Sequence, residues 1–109
     1  MYPKIIKKII ELGNALPMIS GHILDIEKNK NSLTEKDVEI EMELADVIKK
    51  FPGKHFIYGE ELNSTFTKQD NVWIIDSISS TKNFIHGFPH YSIILSHLHK
   101  GEIKFAVIY

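Results

Sequence analysis

Apolar residues recur at helical spacing from the first turn of the chain, with lysines and Glu11 off that face. Pro3 falls in the first turn, where proline is tolerated, and Pro17 is expected to end or kink the helix. The pattern predicts a helix up to Pro17, and a second apolar set after it is compatible with a continuation. The first set is Ile5, Ile6, Ile9, Ile10, Leu12 and Leu16, and the second is Ile19, Ile23 and Ile26.

The middle of the chain predicts a loop followed by a second helix. Residues 27–33 are polar and are interpreted as the loop. Residues 34–51 first alternate apolar residues with glutamates, as a strand would, but Leu44, Val47, Ile48 and Phe51 keep helical spacing. Thr34 and Asp37 resemble a capping box, and Pro52-Gly53 is a stop signal. These features favour a helix over 34–51.

The remainder of the chain has the pattern of a sheet. Residues 55–58 predict a short strand, and after a polar loop the apolar run at 72–75 predicts a buried strand. Runs at 91–98 and 103–109 flank His99-Lys100-Gly101-Glu102, which predicts a hairpin. Helices followed by strands predict an α+β fold in which the N-terminal helices pack on an antiparallel sheet.

Composition narrows the class of protein. The chain has 109 residues, which suits one small domain, and its net charge of −1 points to no nucleic-acid partner. It has no cysteine, so thiolate metal sites are excluded. The N-terminal segment is interrupted by lysines, and no apolar run approaches membrane-spanning length. We therefore expect a cytoplasmic protein without a membrane contact.

Candidate chemistry lies in acidic residues near the predicted strands. Asp37, the pair Glu60 and Glu61, and Asp76 supply carboxylates, the last two groups just after strands. Carboxylates gathered at the rim of a sheet suit magnesium, which prefers oxygen ligands. The hydroxyl-rich run 77–81 that follows Asp76 could cradle a phosphate through its backbone amides. On spacing alone, however, acids of this kind more often cap an element or face solvent.

The amino-acid sequences of four segments resemble those of a known family. Phe-Ile-Tyr-Gly-Glu-Glu at 56–61, Val-Trp-Ile-Ile-Asp at 72–76, the stretch 81–89, and Thr34-Glu35-Lys36-Asp37 with Glu41 occur in the order seen in the inositol monophosphatase family. The resemblance covers nearly the whole chain, and most clearly 34–109. It implies the N-terminal half of the layered α/β sugar-phosphatase fold, with residues 1–109 as a truncated domain that lacks the C-terminal one.

The resemblance also implies roles for individual residues. Glu60 and Asp76 would be metal ligands, together with the backbone carbonyl of Ile78. Thr81, held by Asp37, would help to position and deprotonate a water molecule. The amides of Ser80 and Thr81 would hold phosphate oxygens of an inositol phosphate or a related sugar phosphate.

Two departures from the family motif bear on activity. The family's Asp-Pro-Ile-Asp-Gly-Thr corresponds here to Asp76-Ser77-Ile78-Ser79-Ser80-Thr81. Ser79 therefore replaces a metal-binding aspartate, and Ser80 replaces a glycine that would allow close approach to phosphate. These changes predict that Mg²⁺ binding is weak or lost.

Three functional hypotheses follow from these observations. The first is a phosphatase whose catalysis is lost or very weak when the chain acts alone. The second is a non-catalytic protein that binds a partner through the retained half-fold. The third is an enzyme completed by a separately encoded C-terminal half, against which Ser79 argues.

Two smaller hypotheses concern the hairpin. His97 and His99 alternate and would share one face, so they could bind zinc if a third ligand were available. A Ser-His-acid arrangement cannot be identified in the sequence.

We also expect the apolar residues of the hairpin to lack part of their packing partners, which would cause self-association or require a partner that completes the sheet. These residues are Ile93, Leu95, Phe105, Val107 and Tyr109.

Overall fold

The computed structural model describes residues 1–16, 26–59, 68–79 and 92–109. Two helices, α1 (Tyr2–Ala15) and α2 (Ile26–Lys49), precede four strands in the chain. The strands are β1 (Phe56–Gly59), β2 (Asn71–Ser79), β3 (Ser92–His99) and β4 (Glu102–Ile108). The predicted α+β class is confirmed, with the helices packed on one sheet.

Helix α1 follows the predicted apolar stripe. Ile5, Ile9 and Leu12 are buried at intervals of three and four residues, which places them on one face. Ile6 and Ile10 of the same apolar set lie to the side of that face and are 37% and 41% exposed. The helix ends at Ala15, two residues before Pro17. Its buried face packs against α2 and β3.

Helix α2 begins earlier than the sequence pattern indicated. It starts at Ile26, so the prediction of a loop over 27–33 is wrong, and Thr34 lies inside the helix instead of capping it. The segment 26–49 contains neither proline nor glycine, and extending a formed helix by one residue costs far less than nucleating it. The predicted helical spacing is confirmed farther along, since Ile40, Leu44 and Ile48 are fully buried while Met42 is 50% exposed.

The sheet is mixed, in the order β1-β2-β3-β4. The expected antiparallel pairing holds for β2, β3 and β4, whereas β1 pairs parallel to β2 with Gly59 opposite Ile75. A parallel pair needs a long connection between its strands, and residues 60–70 provide one. The predicted hairpin is confirmed: Lys100 and Gly101 have φ values of 50° and 80°, as in the two-residue turn that suits twisted strands.

The core lies between the two helices and one face of the sheet. Trp73, Ile93 and Leu95 are fully buried there, so the expectation that Ile93 and Leu95 lack packing partners is wrong. Phe105 and Val107 are partly buried and pack against the same core. Tyr109, the last residue of the predicted set, is 45% exposed, and in the same hairpin Ile103 and Ile108 are 70% and 73% exposed. The helices therefore cover the sheet more completely than the sequence suggested.

Candidate functional site

The parallel pairing places the carboxyl end of β1 beside β2, at one rim of the sheet. Gly59 is the last residue of β1 and lies opposite Ile75 of β2, so Glu60 and Asp76 are the next residues along their chains. Carboxyl ends of parallel strands meet at the same edge, which is where ligands commonly bind in such sheets. Asp76 lies within β2, whereas the sequence placed it after the strand. Glu60, Ser80 and Thr81 lie outside the described residues.

Asp37 contributes a buried carboxyl group next to β2. Its residue is 8% exposed, and the Ser77 hydroxyl donates a hydrogen bond to its Oδ1 at 3.3 Å. The predicted role of Asp37 in holding Thr81 stays a prediction, because Thr81 is outside the described residues. Ser77 was not among the residues predicted to act with Asp37. A usable signal existed, since residues alternate between the faces of a strand and Ser77 is on the same face as the buried Ile75.

Glu41 is a second buried acid on α2. It lies one helical turn after Asp37, so the two side chains share a helix face, and it is only 1% exposed. Its carboxyl group lies against Gly59, where a Cβ atom would overlap Oε1 of Glu41. The sequence pointed to Glu41 only as part of the motif resemblance, with no role attached to it.

The end of β2 is irregular in its pairing with β3. The pairing of β2 with β3 shifts in register between Asp76 and Ser79, which is opposite Ser92. Such an irregularity bends a strand and changes the direction of its side chains, and it is frequent near ligand sites. Ile78 within this stretch is buried, and Ser79 is half-buried.

The oxygen atoms at this rim are of the types that bind hard cations, but together they carry little negative charge. Asp76 offers a carboxylate and Ile78 a backbone carbonyl, and oxygen atoms of both types are magnesium ligands. Ser79, near the end of the same strand, offers only a neutral hydroxyl group. Among the residues that the structure describes, no three histidine or acidic side chains converge in a way that could hold a metal ion.

A second polar cluster lies at the opposite end of the same strands. The ring of His97 stacks on Trp73 with a centroid distance of 4.1 Å and an interplanar angle of 5°. His97 Nε2–H donates to Asn71 Oδ1 at 3.0 Å, and the Tyr2 hydroxyl donates to His97 Nδ1 at 2.8 Å. His99 Nδ1 donates to the same Asn71 oxygen at 3.0 Å. The predicted shared face of the two histidines is thus confirmed, with both histidines bonded to side chains of the protein.

The surroundings of His97 favour its neutral form. Burial lowers the pKa of His97, and the neighbouring His55 and His99 lower it further. His55 is also engaged, since its Nδ1 accepts the indole N–H of Trp73 at 3.0 Å. No third zinc ligand converges on His97 and His99 in the described part of the chain. The cluster is therefore a structural hydrogen-bond network that joins α1 to the sheet.

Comparison with known proteins assigns the chain to a family. The sequence profile of the inositol monophosphatase family matches residues 7–109, and the chain belongs to that family. It is 37% identical over 107 residues to the fructose-1,6-bisphosphatase/inositol-1-monophosphatase of Thermotoga maritima, covering 95% of this chain and 41% of that protein. It is 33% identical over 82 residues to the Nus factor SuhB of Pseudomonas aeruginosa, covering 72% of this chain and 30% of that one.

Solved structures agree with this assignment. The chain superposes on the Thermotoga maritima IMPase with a TM-score of 0.77 and 35% identity, over 95% of this chain and 41% of that one. It superposes on inositol monophosphatase II of Staphylococcus aureus with a TM-score of 0.79, over 99% of this chain and 40% of that one. At 22% identity, the second match concerns the fold alone. The chain thus spans about 41% of the length of its Thermotoga maritima relative. No described helix is long and apolar enough to cross a membrane.

Proposed function

We propose that these 109 residues supply the N-terminal part of a magnesium-dependent phosphate monoesterase site and do not hydrolyse inositol phosphates by themselves. The rim shared by β1 and β2 supports the first half of the proposal, because Gly59 and Ile75 are opposite one another just before Glu60 and Asp76. Ser79 supports the second half, since it places a neutral hydroxyl group where the family motif has a metal-binding aspartate.

In the proposed site, Glu60, Asp76 and the carbonyl of Ile78 hold the cation. A bound magnesium ion would supply an activated water and stabilise negative charge on the leaving oxygen. Thr81 orients the water, and the backbone amides of Ser80 and Thr81 bind phosphate oxygens. Asp37 is the buried acid that neighbours this region, and its bond to Ser77 at 3.3 Å ties α2 to β2.

The loss of one carboxylate has a direct electrostatic consequence. A neutral hydroxyl adds no charge to the field that draws a divalent cation out of water, so affinity falls with the number of charged ligands. Ser79 lies at the irregular end of β2. The side chain that would face the substrate there is therefore a hydroxyl group and not a carboxylate. We therefore propose weak binding of Mg²⁺ and negligible turnover for the unaided chain.

A phosphatase assay on the purified chain tests this proposal. With inositol monophosphate and saturating magnesium, the expected result is no release of phosphate above that of Glu60→Gln, which removes a proposed ligand. Magnesium-dependent turnover that disappears in Glu60→Gln would overturn the proposal of an inactive chain and establish the site at once. The test should include a fructose bisphosphate, since the Thermotoga relative is named for both activities.

A second candidate function is a non-catalytic protein that binds a partner. Two observations favour it: relatives of this chain are named Nus factors, and β4 carries Ile103 and Ile108 at 70% and 73% exposure. In the described sheet β4 is the last strand, and an edge strand with apolar side chains pairs readily with another chain. The occupant would be a second copy or a partner segment that completes the sheet.

A further inference from the structure

We propose that Glu41 is a positioning residue that fixes the carboxyl end of β1, and through it the metal ligand Glu60. This inference rests on the proposed function for the identity of Glu60 as a ligand. It assigns Glu41 a task that the resemblance to phosphatases leaves open, and it explains why glycine stands at position 59.

The burial of Glu41 is the first observation. Its residue is 1% exposed and lies among the fully buried side chains of the core, next to Ile40 and Leu44 of the same helix. Burying a carboxyl group is unfavourable unless hydrogen bonds compensate for the lost water. Among the described residues, every buried side-chain nitrogen or oxygen has a partner, so the carboxyl group is held by the protein.

The second observation is the space at Gly59. A Cβ atom on Gly59 would coincide with the carboxyl group of Glu41 and would also crowd its Cγ. Of the described glycines, only Gly53 and Gly101 have positive φ, so Gly59 is not required by its backbone conformation. Glycine is needed there because the Glu41 carboxyl group occupies the volume of a side chain. The two residues therefore form a fitted contact between α2 and the last residue of β1.

The location of this contact makes it relevant to the rim. Gly59 is opposite Ile75, and the next residues along the two chains are Glu60 and Asp76. A displacement of Gly59 passes to Glu60 through a single peptide unit, which is planar and stiff. The strand also has room to move, because a cavity of about 290 Å³ lined by Glu41, Lys49, His55, Ile57 and Gly59 lies beside it. Glu41 limits that movement by filling the place beneath Gly59.

The primary test compares Glu41→Gln with Glu39→Gln. The first variant keeps the shape of the side chain and removes the carboxylate, and the second changes an α2 glutamate whose side chain is 57% exposed. Amide hydrogen exchange at Gly59 and Glu60 should become about tenfold faster in Glu41→Gln, while amides in the centre of β2 and β3 stay unchanged. Mn²⁺ affinity, measured by water proton relaxation, should fall about tenfold, as for other partners that orient metal ligands. Glu39→Gln should match the unmodified chain in both measurements.

A second test examines the fitted contact itself. Gly59→Ala should lower the denaturation midpoint strongly in the native chain and much less in a chain that carries Glu41→Ala, because the smaller residue leaves room for the new methyl group. If Glu41→Gln does not fold, Gly59→Ala in the native chain replaces it in the exchange measurement. It displaces the Glu41 carboxyl group without removing it.

The outcomes separate this inference from the proposed function. If the unmodified chain takes up no Mn²⁺, the proposed metal site fails, and the exchange rates and the Gly59→Ala comparison still decide the role of Glu41. Unchanged exchange at Gly59 and Glu60 in Glu41→Gln would overturn the inference. So would an equal cost of Gly59→Ala in both backgrounds, or unchanged Mn²⁺ affinity in a chain that does bind the ion.

Discussion

Removing the hydroxyl group of Tyr2 tests whether the polar cluster around His97 holds α1 on the sheet. In Tyr2→Phe the ring stays, and so should its stack on Phe105, which has a centroid distance of 4.5 Å and an interplanar angle of 10°. The lost group is the donor to His97 Nδ1 at 2.8 Å. The substitution therefore isolates one hydrogen bond between residues 95 positions apart in the chain.

The structure sets the size of the expected effect. His97 is 3% exposed, so its Nδ1 would be left without a donor in a place that water enters with difficulty. An unsatisfied buried group costs about 1–3 kcal/mol. Tyr2 itself is only half-buried, which allows partial replacement by water, and we expect a loss of about 1 kcal/mol in the free energy of unfolding. For a domain of this size that corresponds to a melting temperature lower by roughly 4–8 °C.

Urea denaturation followed by the fluorescence of Trp73 measures this loss directly. Trp73 is the single tryptophan and stacks on His97, so its emission reports on the cluster. Tyr109→Phe is the matched control: it removes a hydroxyl group that donates to Asn14 of α1, at a residue that is 45% exposed. We expect the control to lose less than about 0.5 kcal/mol.

A double-mutant cycle between Tyr2 and His97 measures the coupling free energy of this hydrogen bond. In a His97→Phe chain, which keeps an aromatic ring against Trp73, the Tyr2→Phe change should cost almost nothing. A Tyr2→Phe variant as stable as the unmodified chain would show that this hydrogen bond does not hold α1 on the sheet. The same loss in both backgrounds would show the same, because the hydroxyl group would then act through something other than His97.

Four further results are expected. The pKa of His97 is lowered from its ordinary value of 6.5, chiefly by burial, so the unfolded chain binds the proton more readily than the folded chain. The free energy of unfolding should therefore be highest above pH 6.5 and should fall as the pH drops below that value. In urea denaturation, His97→Phe should flatten this dependence on pH. Calorimetry should find weak binding of Mg²⁺, and tight binding of two ions would contradict the proposed loss of charge at Ser79. The double change Ser79→Asp with Ser80→Gly should strengthen Mg²⁺ binding without full restoration of phosphatase activity. Light scattering should show self-association that Ile103→Lys with Ile108→Lys reduces, whereas a stable monomer would exclude β4 as an association surface.

Local patterns in the sequence were sufficient for several elements of the fold. The spacing of Ile5, Ile9 and Leu12 predicts α1 because the period of a helix repeats within a few residues. The turn at Lys100-Gly101 predicts the β3–β4 hairpin for a similar reason, since both strands adjoin the turn that joins them. The motif around Asp76 was long enough to indicate the family, which comparison with known proteins confirms.

Other features depended on packing between distant segments, and the local pattern misjudged or missed them. The pattern predicts a loop over 27–33, although α2 already begins at Ile26, because polar residues that continue a helix have no apolar stripe to mark them. The pattern of the hairpin predicts that Ile93 and Leu95 lack part of their packing partners, although both are fully buried in a core that includes residues of α1 and α2. Coverage of a sheet face is decided by where the helices lie, and their placement is not encoded in the hairpin itself.

The order of most elements, the family and the candidate acidic residues can therefore be predicted from the amino-acid sequence alone. The pairs of residues that act together become visible once the elements are packed: Ser77 with Asp37, Gly59 with Glu41, and Tyr2 with His97. The periodicity of a helix or strand is written in neighbouring residues, so it can be recognised along the chain. A contact between α2 and the end of β1, or between α1 and β3, depends on how whole elements pack, and no local spacing records it.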